Sequence, residues 1–83
     1  MKMKAVRIQL SSGLEARPVA MLVQVASQHD STVYLESEGR RVNAKSIMGM
    51  MSLVLTAGDS VTICADGEDQ EKAIAKLEEF LTA

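Results

Sequence analysis

Two charged side chains, Glu15 and Arg17, lie beside Pro18 in the segment Gly13-Leu14-Glu15-Ala16-Arg17-Pro18. Pro18 fits the first turn of a helix, where its missing N–H costs nothing, so both charges fall near a helix N-terminus. A carboxylate there could form an acyl phosphate, but no second carboxylate or metal-binding cluster stands beside it in the sequence. The simpler interpretation is that Glu15 is a favourable charge at a helix N-terminus, contributing about 0.3–1 kcal/mol.

A second chemically suggestive residue is Ser46, which precedes the apolar run Ile47-Met48-Gly49-Met50-Met51. Serine at this place favours a helix N-cap, worth about 1 kcal/mol. Methionines at helical spacing are more often core than docking surface. A helix this short cannot bury every face, however, so part of the run should be exposed or contact a partner.

The remaining reactive side chains give little sign of chemistry. His29 lies at the polar end of the first predicted helix beside Asp30, and we expect a lone surface histidine with no partners. Cys64 is the one cysteine, so no internal disulfide can form, which suits a reducing compartment. No nucleophile–base pair or metal-ligand spacing is recognisable. We therefore expect no enzymatic activity, no metal and no cofactor.

Composition narrows the class of protein further. The chain has 83 residues, enough for a single domain over residues 1–83. Its net charge of −2 and its two aromatic residues, Tyr34 and Phe80, argue against direct nucleic-acid binding. No apolar stretch approaches membrane-spanning length, and the basic start is not followed by the apolar segment of a signal peptide. The expected location is the cytoplasm.

The elements that must position these residues follow from hydrophobic periodicity. Period-two alternation predicts strands over about 4–10, 32–36, 40–43 and 60–65. Apolar residues at helical spacing predict helices over 16–28, over a short stretch after Ser46, and from about Glu68 and Asp69 to Leu81. Alternating strands need one buried face. The order βαββαβα therefore predicts an α+β fold, a four-stranded antiparallel sheet covered on one face by three helices.

Two segments of the sequence, together with this order of elements, resemble one known family. Gly13 to Pro18 is similar to the active-site segment of HPr, the phosphocarrier of the bacterial sugar phosphotransferase system, with one departure: Glu15 replaces the histidine. Asn43 to Gly49 resembles the regulatory-serine segment of HPr from low-GC Gram-positive bacteria. A subfamily, the catabolite-repression paralogue, also keeps the serine and lacks the histidine, where it carries glutamine.

The resemblance implies a function for the first segment. Glu15 would stand where phosphohistidine forms in HPr, and Arg17 where the arginine holds the phosphoryl group. Loss of the histidine implies that this chain is not a phosphocarrier. Glu15 would then be a helix-end charge or a partial mimic of the anionic phosphohistidine, and both interpretations stay open.

The resemblance also implies partners. Ser46 would be phosphorylated by HPr kinase/phosphorylase, and a catabolite control repressor would bind the modified protein through Arg17, Ser46, Ile47, Met48 and Met51. The chain would then be a regulatory corepressor, with a monomer favoured. The alternative is an atypical or degenerate phosphocarrier acting on components of the sugar system.

Overall fold

The computed structural model describes residues 1–10 and 16–83, with backbone only at Ala16. The described elements, in chain order, are β1 (Lys2–Arg7), α1 (Ala16–Ser27), β2 (Thr32–Ser37), β3 (Arg40–Asn43), α2 (Ile47–Met51), β4 (Ser60–Asp66) and α3 (Gln70–Leu81). The four strands form one antiparallel sheet in the order β1-β4-β2-β3. The predicted fold class and element order are confirmed.

The first strand differs most from its predicted bounds. It starts at Lys2, two residues earlier than predicted. It ends at Arg7, because that residue pairs with Ser60, the first residue of β4. The chain then turns to other partners: the N–H of Ile8 donates to the Asp59 carbonyl at 2.9 Å and the N–H of Gln9 to the Leu81 carbonyl at 2.9 Å. Ile8 stays buried, so its side chain follows the pattern although its backbone leaves the sheet.

The core lies between the sheet and the helices and is aliphatic. One row of strand residues crosses the sheet from Ile63 to Leu35 and Val42, and α1 and α3 contribute Leu22 and Leu77 opposite it. Burial of this kind contributes roughly 1.5–3 kcal/mol for each large side chain, which explains how a chain with two aromatic residues forms a core. Cys64 is a free thiol, buried at a position that alternates with Ile63, and burial raises its pKa.

Asp69 occupies the N-cap position of α3 but does not cap that helix with its side chain. Its carboxylate instead accepts hydrogen bonds from the loop between α1 and β2: from the N–H of Asp30 at 3.0 Å, the N–H of Ser31 at 2.9 Å and the Ser31 hydroxyl. The hydrogen bond from the Ser31 hydroxyl is the main cause that holds the pKa of Asp69 well below its ordinary value. The carboxylate thus ties the start of α3 to the loop between α1 and β2.

The prediction for His29 is wrong. Its side chain is only 13% exposed, and its Nδ1 lies 3.4 Å from Oδ2 of Asp69, while its buried Nε2 has no hydrogen-bond partner among the described residues. Asp69 is far from His29 along the chain and comes close only when the loop after α1 folds onto the start of α3. Sequence neighbours could not reveal that contact.

The Asp69 carboxylate makes stability depend on pH. Its pKa is lowered in the folded state, so its contribution is present above the unfolded pKa of about 4 and is lost as the pH falls below that value. We expect Asp69→Asn to lower the unfolding temperature at pH 7, and the gap between the two proteins to narrow toward pH 2. Thermal unfolding from pH 7 to pH 2 measures the gap. A gap of equal size at both ends would contradict the assignment to the charged carboxylate.

Candidate functional site: the α2 surface

Ser46 caps α2, as predicted. Its backbone is extended, with φ −111° and ψ 117°, and its Oγ accepts a hydrogen bond from the N–H of Gly49 at 3.1 Å. The preceding turn is fixed by its own hydrogen bonds, from Ser46 N–H to the Asn43 carbonyl at 3.1 Å and from Lys45 N–H to Asn43 Oδ1 at 2.8 Å. The hydroxyl is therefore held in one place on a half-buried residue.

The far end of this short helix is also held. The Ser52 hydroxyl donates to the Gly49 carbonyl at 2.6 Å, and the Arg40 guanidinium donates to the Ser52 carbonyl at 3.0 Å and to its Oγ at 3.1 Å. A five-residue helix containing glycine would not persist alone in water. Side-chain caps at both ends, the hydrogen bonds from Arg40 and the burial of Met50 explain why this one forms.

The apolar run of α2 is divided between core and surface. Met50 is fully buried, whereas Ile47, Met48 and Met51, together called the α2 patch below, are exposed; Met48 is 85% exposed and Met51 52%. Neighbouring exposed apolar side chains on such a small protein are typical of an interaction surface. The structure thus shows which methionines of α2 are buried and which are exposed, a distinction that periodicity alone could not make.

Two further exposed apolar residues escaped the sequence reasoning. Val54 follows α2 and is almost fully exposed, and Met21 is half exposed on α1, which packs against α2. The alternation in 53–55, with Leu53 and Leu55 buried around Val54, was the available signal for the first of them. No comparable signal marks Met21, because α1 is apolar on its flanks as well.

Lys45 also has a role that the sequence reasoning missed. Its Nζ donates to the His29 carbonyl at 2.7 Å, just beyond the C-terminal end of α1. No basic residue lies in the last turn of α1 itself, so Lys45 supplies the positive charge that favours a helix C-terminus. The contact ties the turn before Ser46 to the end of α1.

The structure describes only the last three residues of the segment Gly13 to Pro18. Arg17 lies in the first turn of α1 and is exposed, and α1 packs against α2. Glu15 lies outside the described residues, so its predicted role stays a prediction. Within residues 1–10 and 16–83, no three histidine, cysteine or acidic side chains are grouped as metal ligands. None of the helices in these ranges is both long and apolar enough to span a bilayer.

Comparison with known proteins agrees with the resemblance. The family described as "PTS HPr component phosphorylation site" matches residues 2–83. HPr-like protein Crh of Bacillus subtilis is 47% identical over 81 residues, covering 98% of this chain and 95% of that protein. The crystal structure of the phosphocarrier protein HPr from Bacillus anthracis superposes with a TM-score of 0.94 at 41% identity, covering 96% of this chain and 95% of the other.

One comparison bears on assembly. The crystal structure of Bacillus subtilis Crh, with a TM-score of 0.79 at 47% identity over 98% of this chain and 93% of that one, is described as a dimer with a swapped domain. The expectation of a monomer is therefore not supported. Sequence, fold and relatives agree on the family: this chain belongs to the HPr family of the phosphotransferase system.

Proposed function

We propose that this chain is a non-carrier regulatory protein of the HPr family, without enzymatic activity, whose Ser46 accepts phosphate from HPr kinase/phosphorylase. The phosphorylated form binds a catabolite control repressor as its corepressor, through Arg17, Ser46 and the α2 patch. The observation that carries this proposal is the position of Ser46, a fixed N-cap hydroxyl directly before exposed Ile47 and Met48.

The proposal that this chain is not a phosphocarrier rests on the lack of a histidine at the family's active position. Glu15 stands at the position of the family's phosphorylated histidine, and the one histidine of the chain is His29, beyond the other end of α1. A twelve-residue helix separates the two ends by ~18 Å. His29 is also largely buried against Asp69, so it does not replace the missing nucleophile.

Phosphorylation would change the binding properties of the α2 patch through charge. A phosphoserine carries a charge of about −1.5 to −2 at pH 7, placed next to apolar side chains that give a partner little electrostatic preference of their own. A repressor with a basic group facing Ser46 and an apolar pocket facing Met48 would bind the modified protein selectively. Arg17, exposed in the first turn of α1, would pair with an acidic group of the same partner.

The test is phosphate transfer from ATP by HPr kinase. We expect one phosphate on the wild type and none on Ser46→Ala, with Ser52→Ala as the matched control, because Ser52 caps the other end of the same helix. Intact-mass and peptide mass spectrometry measure the outcome.

Two results would contradict the proposal. Phosphate on Ser52 or another residue in place of Ser46 would refute the site. Label transferred to the wild type from phosphoenolpyruvate through enzyme I would refute the non-carrier assignment and favour the atypical phosphocarrier.

A further inference from the structure

Gly49 stands in the middle of α2, where its backbone does not need glycine. Its φ is not among the positive values found at Gly39, Gly58 and Gly67, so an ordinary L-residue could adopt its conformation. Glycine in a helix interior is unfavourable relative to alanine. In a helix of five residues, this unfavourable choice calls for a local reason.

The space beside Gly49 is occupied by Ser46. A Cβ atom at position 49 would lie 3.3 Å from Ser46 Oγ, 3.5 Å from Ser46 Cβ and 3.7 Å from the Asn43 carbonyl oxygen. The first distance is tight without forbidding the substitution, and the atom that it crowds is the hydroxyl oxygen. The Gly49 N–H already donates to that oxygen at 3.1 Å, so the hydroxyl cannot move away without losing its bond.

We infer that Gly49 is a positioning residue that keeps one side of Ser46 Oγ open for the incoming phosphoryl group, an inference that rests on the proposed function. In the transfer, Ser46 Oγ attacks the γ-phosphorus of ATP held by the kinase. The new O–P bond forms as the bond to the bridging oxygen breaks, ADP leaves, and the hydroxyl proton passes to a base of the kinase. Phosphorus and its three oxygens need room around Oγ that a methyl group at position 49 would take up.

The test compares phosphorylation rates of the wild type and Gly49→Ala by HPr kinase with ATP. We expect kcat to fall at least tenfold and KM to change less than twofold, because the methyl group crowds the reacting oxygen and leaves Ile47 and Met48 in place. Circular dichroism checks that the variant is folded. A kcat within twofold of the wild type would overturn the inference, as would a variant whose loss lies in KM alone.

A double-mutant cycle measures the contact between a side chain at position 49 and the Ser46 hydroxyl without the kinase. In the Ser46→Ala background the hydroxyl is gone, so Gly49→Ala should raise the unfolding temperature as helix propensity dictates. In the wild-type background the rise should be absent or reversed. Equal shifts in both backgrounds would show no contact and overturn the inference. A wild type that takes no phosphate would overturn the proposed function and this inference together, whereas a phosphorylated wild type with an equally active Gly49→Ala variant overturns this inference alone.

Discussion

Replacing Met48 by aspartate is expected to weaken binding of the phosphorylated protein to a catabolite control repressor by roughly thirtyfold or more, the effect of losing a central interface residue. Met48 is the most exposed side chain of the α2 patch and lies two positions from the phosphorylated residue in the proposed complex. A carboxylate there would have to be desolvated in an apolar pocket. Its charge would bring no compensating ion pair, because the basic group of the partner is already paired with the phosphate. The weakening should therefore come from lost apolar contact and from desolvation.

Isothermal titration calorimetry with the purified repressor measures the effect, after mass spectrometry has confirmed full phosphorylation of each variant. Met3→Asp is the matched control, because Met3 is 53% exposed on β1, away from α2. We expect its affinity to stay within threefold of the wild type. Equal losses for both variants would mean that added negative charge, and not the α2 patch, governs binding. Equal affinity of the modified and unmodified wild type would refute gating by Ser46.

The second large effect is on stability. Gly67 follows β4 with a φ of +155°, and a Cβ atom there would lie 2.8 Å from Ser31 Cα and 2.6 Å from Ser31 Oγ. Ser31 cannot yield easily, because Asp69 holds both its N–H and its hydroxyl. We expect Gly67→Ala to lower the free energy of unfolding by about 2–4 kcal/mol, from overpacking together with backbone strain. That is a large share of the total for a small domain.

Gly58→Ala separates the cost of backbone strain from the cost of overpacking against Ser31. Gly58 has a φ of +94°, and a Cβ atom added there would have no neighbour within 4 Å, so its substitution should cost only the backbone strain, about 1–2 kcal/mol. Urea unfolding of the three proteins gives the comparison. Similar losses at Gly58 and Gly67 would show that contact with Ser31 adds nothing.

Local signals in the sequence predicted the elements well where one residue or one period decides the structure. Ser46 before an apolar run predicted the cap that is observed, because a cap depends on a side chain and an N–H three residues away. The turn at Glu38 and Gly39 predicted β3 with its observed bounds, and the regular period of the last segment predicted α3 to its end at Leu81. The bounds of β1 were missed because they depend on where β4 begins, far along the chain.

The sequence by itself also determined the family resemblance, since that is carried by contiguous residues: Gly13 to Pro18 with Glu15 in the histidine's place, and Asn43 to Gly49 around Ser46. Tertiary structure alone decided which apolar residues of α2 face the core, because a short helix that is apolar all round is oriented by its neighbours and not by its own pattern. It also decided that Asp69 binds the loop before β2, that His29 lies against it, and that Lys45 reaches the end of α1. Each of these contacts joins residues at least sixteen positions apart, and a hydrogen bond at that separation exists only once packing has brought its two ends together.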